Sequence, residues 1–125
     1  MKKFLGAIAA LAMTVGLAAC GTPVSQGTAN QNQLVVGMEA GYPPFNWTQK
    51  DDSNGAVKIQ GTDQYAGGYD VEIAKRVAKQ LGKELVIVKT EWDGLTPALV
   101  SGKIDAIIAG MSPTEERKAT IDFTD

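Results

Sequence analysis

The sequence contains no histidine and only one cysteine among its 125 residues. Without histidine, the chain cannot carry a histidine-based catalytic triad or a histidine metal site. One cysteine cannot form an internal disulfide bond or a zinc-binding cysteine cluster. The formal net charge is -2, so the chain lacks the positive excess that is typical of nucleic-acid-binding proteins. We therefore expect no metal and no nucleic acid as partners.

The sequence also lacks an apolar run long enough for a membrane span, which takes about 20 residues. A positively charged start, Met1–Lys3, precedes the shorter run Phe4–Ala19, which is almost entirely apolar or small. This pattern is typical of a secretory signal. The run ends in Leu17–Gly21, which resembles a lipobox. We predict a lipoprotein signal peptide over residues 1–19 and lipidation of Cys20; the alternative is an ordinary secretory signal with an incidental cysteine.

Residues 20–33 are predicted to be the lipidated cysteine and a flexible tether. After the cysteine they carry no charge, and only Val24 and Ala29 are apolar. Such a composition cannot bury a core, and its root-mean-square reach would be roughly 20 Å. The protein is therefore expected at the cell membrane, lipid-anchored on the extracytoplasmic face.

From residue 34 onwards, short apolar runs alternate with helical patterns. This alternation predicts an α/β fold, a mostly parallel sheet with helices on both faces. The polar stretch 47–68 is interpreted as a surface excursion with a small hairpin. Strands are predicted over residues 34–38, 84–90 and 104–109, with a fourth starting at 121–123, and helices over residues 70–81, 93–102 and from 112.

Two helix starts are predicted from capping residues. Asp70 is the predicted N-cap of the first helix, and Gly82 is its predicted stop. Ser112, followed by Pro113 and Glu115, predicts a capping box for the last helix. Thr114 is the alternative cap.

In parallel sheets ligands bind beyond the carboxyl ends of the strands, which here are followed by loops 39–46, 90–94 and 109–114. Arg117 lies near the start of a helix, where the macrodipole disfavours a cation unless it faces an anion. The alternative interpretation is that the Arg117 side chain is solvated or forms an ion pair with Glu115 or Glu116. Tyr42 and Trp92 could sandwich a ligand side chain or simply pack under their loops.

Nothing in the sequence predicts an enzyme. The acidic pairs Asp51–Asp52 and Glu115–Glu116 are adjacent carboxylates, which diverge on most backbones and are poor candidates for acid–base catalysis. Gly67–Gly68 does not form a dinucleotide or phosphate-binding pattern, so no cofactor is expected.

Four blocks of the sequence carry a resemblance, residues 68–74, 92–99, 102–118 and 121–125, and residues 36–45 match as a first strand and loop. In this order and spacing they resemble the polar-amino-acid branch of the bacterial extracellular solute-binding proteins, and the resemblance covers residues 34–125. It implies a periplasmic-binding-protein fold of type 2, in which two lobes close on a ligand. Residues 34–125 would be an incomplete lobe one, the second lobe would be missing, and we interpret the chain as truncated at Asp125.

The resemblance also implies roles for six residues. Arg117 would clamp the α-carboxylate of the ligand, with help from Ser112, and the carbonyl of Gly110 would accept from the α-ammonium. The remaining residues would surround the ligand side chain: Tyr42 and Trp92 would flank it, and Glu39 would lie near its tip.

The function that follows is capture of an L-amino acid and its delivery to an ABC-type permease by a protein expected to be a monomer. Because Glu39 is anionic, we expect a basic ligand, arginine or lysine, and otherwise glutamine. Two alternatives remain: an exported dehydratase-like enzyme on the same fold, which would act on prephenate-like acids, and a sensory lipoprotein.

Overall fold

The computed structural model describes residues 30–125. None of the helices in this range has the length and apolar character needed to cross a membrane. The predicted signal peptide, Cys20 and most of the predicted tether lie outside the described residues and stay predictions. The strands are β1 Gln33–Met38, β2 Gly41–Tyr42, β3 Asn46–Gln49, β4 Val57–Lys58, β5 Tyr65–Gly67, β6 Glu84–Lys89 and β7 Ala106–Ile107. The helices are α1 Tyr69–Gln80, α2 Trp92–Val100 and α3 Glu115–Lys118.

Strand β1 is the centre of a three-stranded parallel sheet with the order β6–β1–β7. It pairs with β6 along its whole length, ending with Met38 opposite Lys89. Because helices cover both faces of the sheet at this strand, its side chains are apolar at successive positions. Val36 and Met38 are fully buried. The strands predicted over residues 34–38 and 84–90 are confirmed.

The two longer helices lie on opposite faces of this sheet. The chain passes from β1 through α1 to β6, and then through α2 back across β1 to β7. Since crossovers are right-handed, reversing the direction places the second helix on the other face. A Cβ on Gly37 would lie 2.5 Å from Cδ1 of Ile104 and 3.2 Å from Cδ2 of Leu95, so α2 packs directly on the central strand. The predicted fold class is confirmed.

Between β1 and α1 the chain forms a second sheet of four short antiparallel strands, in the order β2–β3–β5–β4. Thr48 pairs with Ala66, which is fully buried. A parallel bridge joins Ile59 to Ile87 of β6, so this sheet attaches to the edge of the parallel one. The hairpin predicted over residues 47–68 is thus part of a larger sheet, whose strands are too short for their alternation to be recognised in the sequence.

The predicted N-cap of α1 is wrong. The cap is Gly68, and Asp70 lies inside the first turn. Only glycine fits the cap position, because φ is 122° and a Cβ would lie 2.4 Å from the carbonyl oxygen of Phe45. The backbone N–H of Asp70 donates to that same oxygen at 2.8 Å. The helix ends at Gln80, and Gly82 follows with φ 65°, as predicted.

The capping box predicted at Ser112 is also wrong, and the alternative cap is confirmed. Helix α3 begins at Glu115, and its N-cap is Thr114, whose hydroxyl accepts from the backbone N–H of Arg117 at 3.2 Å. The reason is that Thr114 still has extended backbone angles, φ −119° and ψ 156°, so the helical turn starts later than predicted.

The third strand is shorter than the predicted 104–109, and residues 121–123 form no strand. Strand β7 pairs with β1 at two positions, flanked by a hydrogen bond from the Asp105 N–H to the carbonyl of Val35 at 2.7 Å. Within residues 30–125 no strand pairs with the outer edge of β7. At the start of the predicted run, the N–H of Ile104 donates to the carbonyl of Ala98 in α2 at 3.4 Å and not to β1, so the ladder begins later.

Candidate ligand-binding site

The six predicted site residues all follow strands of the parallel sheet. Because parallel strands place their carboxyl ends at one edge of a sheet, the fold brings these residues to the same edge. Their position is therefore the predicted one, whereas their role in binding is a proposal. Glu39 and Tyr42 come after β1, Trp92 comes after β6, and Gly110, Ser112 and Arg117 come after β7.

Arg117 is held between a loop carbonyl and an aromatic ring. Its Nη1 donates to the backbone oxygen of Ser112 at 2.9 Å, and its guanidinium carbon lies 5.5 Å from the ring centroid of Trp92. The second distance is typical of a cation–π interaction. Glu115 pairs with Lys118 at 3.2 Å, and no salt bridge of Arg117 occurs between residues 30 and 125. The remaining guanidinium N–H groups have no hydrogen-bond partner in this range.

A groove of about 430 Å³ lies beside Arg117. Small-molecule sites have volumes of about 300–1,000 Å³, so the groove is large enough for a metabolite. Its walls combine one aromatic ring, a thioether, three hydroxyls, a guanidinium and two carboxylates. The lining residues are Trp92, Asp93, Thr96, Met111, Thr114, Glu116, Arg117 and Thr120.

Three aromatic side chains form a second group, which we call the aromatic cluster: Tyr42, Phe45 and Tyr69. The rings of Tyr42 and Phe45 are stacked at 5.2 Å, and the ring of Tyr69 meets Phe45 edge-on at 6.5 Å. Tyr42 is 52% exposed and Tyr69 is 62% exposed. Such large exposed apolar surfaces in one place are characteristic of a contact site for a ligand or partner.

Gly110 and Met111 lie between the aromatic cluster and the groove. A Cβ on Gly110 would come within 3.7 Å of Cε1 of Tyr42, and Met111 lines the groove together with Trp92. Gly110 has φ 64°, a left-handed conformation that glycine adopts without strain. The two groups are therefore neighbours, with Tyr42 stacked on Phe45 and Trp92 on Arg117. A ligand side chain between the two rings stays a proposal.

Glu39 and Ser112 have fewer contacts. Glu39 is half-buried between the buried residues Met38 and Ala40. Its carboxylate has neither a hydrogen bond nor a salt bridge to any part of residues 30–125. The side chain of Ser112 is exposed, and its backbone oxygen is the acceptor for Arg117.

A buried polar pair, Asn46 and Asp70, directly follows Phe45 and Tyr69 of the aromatic cluster in the chain. Nδ2 of Asn46 donates to Oδ2 of Asp70 at 2.8 Å, and both residues are buried, at 0% and 5% exposed. Burial raises the pKa of the Asp70 carboxyl, and the hydrogen bond from Asn46 partly offsets this. Oδ1 of Asn46 is buried and has no partner among the described residues.

Sequence reasoning left several of these residues out of the predicted site. Phe45 was visible in the loop after β1, and Tyr69 in the block 68–74. Asn46 carries no signal, because its contact with Asp70 spans 24 residues of chain. The groove residues Thr96, Met111 and Thr120 are uncharged and could be recognised only from the folded chain.

A groove and an arginine at the carboxyl ends of parallel strands are the arrangement in which α/β folds commonly bind small molecules. The comparisons agree. The chain matches the sequence profile of bacterial extracellular solute-binding proteins, family 3, over residues 34–125. The chain therefore belongs to this family, which confirms the resemblance stated from the sequence.

Two relatives are named for arginine binding. The arginine-binding extracellular protein ArtP of Bacillus subtilis is 34% identical over 125 residues, which are 100% of this chain and 44% of the relative. The L-arginine-binding protein of Pseudomonas aeruginosa is 34% identical over 126 residues, covering 99% of this chain and 40% of the relative. This chain thus spans less than half the length of these relatives.

Two solved structures have the same fold with clear sequence identity. The arginine-bound domain 1 of TmArgBP is 42% identical with a TM-score of 0.61, over 76% of this chain and 66% of that one. The ancestral amino-acid-binding protein AncCDT-1, a precursor of cyclohexadienyl dehydratase, is 41% identical with a TM-score of 0.61, over 76% of this chain and 37% of that one.

Proposed function

We propose that the protein captures an L-amino acid with a cationic side chain, arginine in the first place, outside the cytoplasm and delivers it to an ABC-type permease. The observation that carries the proposal is Arg117, held at the edge of the groove with most of its N–H donors lacking a partner within residues 30–125. A guanidinium prepared in this way suits a carboxylate, which it can bind with two parallel hydrogen bonds.

Arg117 would bind the α-carboxylate that all amino acids share. Its contacts with Ser112 and Trp92 fix the plane of the guanidinium before a ligand arrives, which lowers the entropic cost of binding. The exposed hydroxyl of Ser112 and the carbonyl of Gly110 complete the polar end of the proposed site. Binding of the α-carboxylate explains affinity for amino acids as a class but not the choice among them.

The choice would come from the other side of the site. Tyr42 offers an exposed ring face, and aromatic faces attract cations. Glu39 carries a carboxylate that no described cation neutralises, so a ligand cation would gain a partner there. Glutamine is the second ligand candidate, because a carboxylate also accepts from an amide N–H. The relatives named for arginine and the arginine-bound domain 1 support a basic ligand.

A dehydratase is the second candidate function, because AncCDT-1 is a precursor of such an enzyme. Acid catalysis needs a carboxyl group shielded from water, so that its proton is held near neutral pH. The two carboxylates that line the groove, Asp93 and Glu116, are both exposed. Exposure favours binding over catalysis.

The membrane attachment belongs to the same proposal. A lipid at Cys20 and a tether ending near residue 33 would keep the binding lobe close to its permease. A Cys20→Ala protein should then be released from membranes or remain unprocessed. Membrane retention of a processed Cys20→Ala protein at normal size would contradict the anchor.

Titration calorimetry of the full-length protein tests the proposal. We expect L-arginine or L-lysine to bind more tightly than L-glutamine, and a prephenate-type acid to be neither bound nor converted. Arg117→Ala should lower the affinity for every amino acid by about two orders of magnitude, because removing one partner of a buried charge pair costs about 2–5 kcal/mol.

The chain offers a matched control for this substitution. Arg76 is the other arginine, and it is exposed on α1 without a hydrogen bond or salt bridge to residues 30–125. Arg76→Ala should leave all affinities unchanged. Unchanged affinity in Arg117→Ala, or turnover of the prephenate-type acid, would contradict the proposed function.

A further inference from the structure

We propose that Thr48 is a specificity-determining residue that acts through Glu39. The Thr48 hydroxyl fixes the turn that orients the Glu39 carboxylate towards a ligand cation. The inference rests on the proposed function, because it requires Glu39 to face the ligand side chain. Thr48 lies on β3 of the antiparallel sheet, outside the loops that the sequence singled out.

The backbone turns sharply just after Glu39. Ala40 has φ 55°, a left-handed conformation that residues with a Cβ rarely adopt, and it is only 2% exposed. Such a conformation persists only where surrounding contacts hold it. Before Glu39, the carbonyl of Met38 is held by the N–H of Thr90 at 3.0 Å. The direction of the Glu39 side chain therefore depends on what holds Ala40.

The Thr48 side chain supplies that contact. Its Oγ1 donates to the carbonyl oxygen of Ala40 at 2.8 Å and accepts from Nζ of Lys89 at 3.1 Å. An ammonium group can only donate, so the hydroxyl must accept from Lys89 and point its own proton at Ala40. The two bonds reinforce each other, because the cation polarises the hydroxyl.

The same contact gives the Lys89 ammonium an acceptor at the end of the parallel sheet. Lys89 pairs with Met38 across the sheet, one residue before Glu39, yet within residues 30–125 the Glu39 carboxylate has no ion pair. Without the hydroxyl, the ammonium would lose this acceptor and the carbonyl of Ala40 would lose its donor. Loss of the turn would weaken selection for a cationic ligand.

Arginine and citrulline measure this selection, because they have nearly the same shape and differ in charge. The quantity to compare is the Kd of citrulline divided by the Kd of arginine, by calorimetry on the full-length protein. Thr48→Val keeps the shape and removes the hydroxyl, and we expect it to lower the ratio about 5- to 10-fold, the worth of one hydrogen bond to an oriented group. Thr48→Ser keeps the hydroxyl and should preserve the ratio.

Glu39→Gln separates this inference from the proposed function. If Glu39→Gln leaves the ratio unchanged, Glu39 does not face the cation and the proposed ligand preference is wrong. If Glu39→Gln lowers the ratio while Thr48→Val preserves it, the role of Thr48 is overturned. Equal weakening of both ligands in Thr48→Val also overturns it, because that result indicates a structural role. Thr48→Ala gives the same deletion if the valine variant does not fold.

Discussion

The hydrogen bonds of Arg117 join it to residues close to it in the chain, five positions away for Ser112 and three for Thr114. Within residues 30–125, its long-range contact is with the ring of Trp92. The opposite side of the site is assembled over longer distances, with 24 residues between Asn46 and Asp70. The hydrogen bonds of the first arrangement form within the loop before α3 and its first turn, and the ring of Trp92 comes from another element. The second needs the antiparallel sheet and the start of α1 to be in place.

This difference suggests that the two sides of the site bind different parts of the ligand. The Arg117 side would bind the part that all amino acids share, with hydrogen bonds made inside one loop and the ring of Trp92 beneath the guanidinium. The Tyr42 and Glu39 side would read the variable part through residues whose positions depend on distant contacts. Substitutions should therefore reduce affinity uniformly on the first side and selectivity or stability on the second.

The largest expected effect on the long-range side is that of Gly68→Ala. A methyl group there would lie 2.4 Å from the Phe45 carbonyl oxygen, at a backbone φ of 122°. We expect the free energy of unfolding to fall by roughly 3 kcal/mol, the combined cost of clash and backbone strain. Urea denaturation of the full-length protein, followed by circular dichroism, measures it.

Gly82→Ala is the control for that prediction. Gly82 also has a positive φ, 65°, but nothing lies within 4 Å of its Cβ position. This substitution should cost only about 1 kcal/mol, the backbone preference alone. Equal destabilisation by the two substitutions would mean that the contact between Gly68 and Phe45 does not hold the loop.

Replacing Trp92 and replacing Tyr42 should change ligand affinity by different amounts and with different dependence on the charge of the ligand. Trp92→Leu removes the ring beneath Arg117 and should weaken all amino-acid ligands about 5- to 20-fold, the range of a partly desolvated cation–π contact. Tyr42→Leu should weaken cationic ligands about 2- to 5-fold and neutral ones less. Calorimetry with arginine and citrulline distinguishes these patterns. An equal loss of affinity for arginine and citrulline in Tyr42→Leu would contradict the proposed difference between the two sides of the site.

The smallest expected effect is that of Asp70→Asn, and it depends on pH. Burial raises the pKa of Asp70 above its ordinary value of 3.8, so the native state holds the proton more tightly than the unfolded chain. The stability that this proton provides is complete at low pH and is lost as pH rises through the native pKa. At neutral pH the buried carboxylate is therefore a cost, which asparagine avoids.

We thus expect Asp70→Asn to melt at the same temperature as the parent or slightly above it at pH 7. An asparagine at this position could also donate to the unpartnered Oδ1 of Asn46. The difference in melting temperature between the two proteins should shrink as the pH is lowered towards 4, close to the ordinary aspartate pKa of 3.8. A variant that is much less stable at pH 7 would show that the charge on Asp70 is required.

Much of the parallel half could be predicted from the sequence. Continuous apolar runs marked β1 and β6, and Gly82 marked the end of α1, because these signals are local. The prediction of the α1 N-cap was wrong because Asp70 is a good cap by propensity, whereas the close approach to Phe45 requires a glycine. Long-range packing overrode the local preference.

The antiparallel half was largely invisible in the sequence. Strands of two to four residues show too little alternation, and the bond from Thr48 to Ala40 joins two elements that the sequence does not relate. The site followed the same rule. Arg117 and Trp92 could be singled out by residue type and loop position, whereas Asn46 and Thr48 are ordinary polar residues until the chain folds.

The central claim is that Arg117 recognises the α-carboxylate of an amino acid. Agmatine tests it most directly, because it is arginine without that carboxylate. Calorimetry on the full-length parent should show agmatine binding about two orders of magnitude more weakly than arginine, as expected for a lost charge-assisted pair. In Arg117→Ala the two ligands should bind with nearly equal, weak affinity. If Arg117→Ala weakens agmatine as much as arginine, Arg117 does not read the carboxylate and the account is wrong.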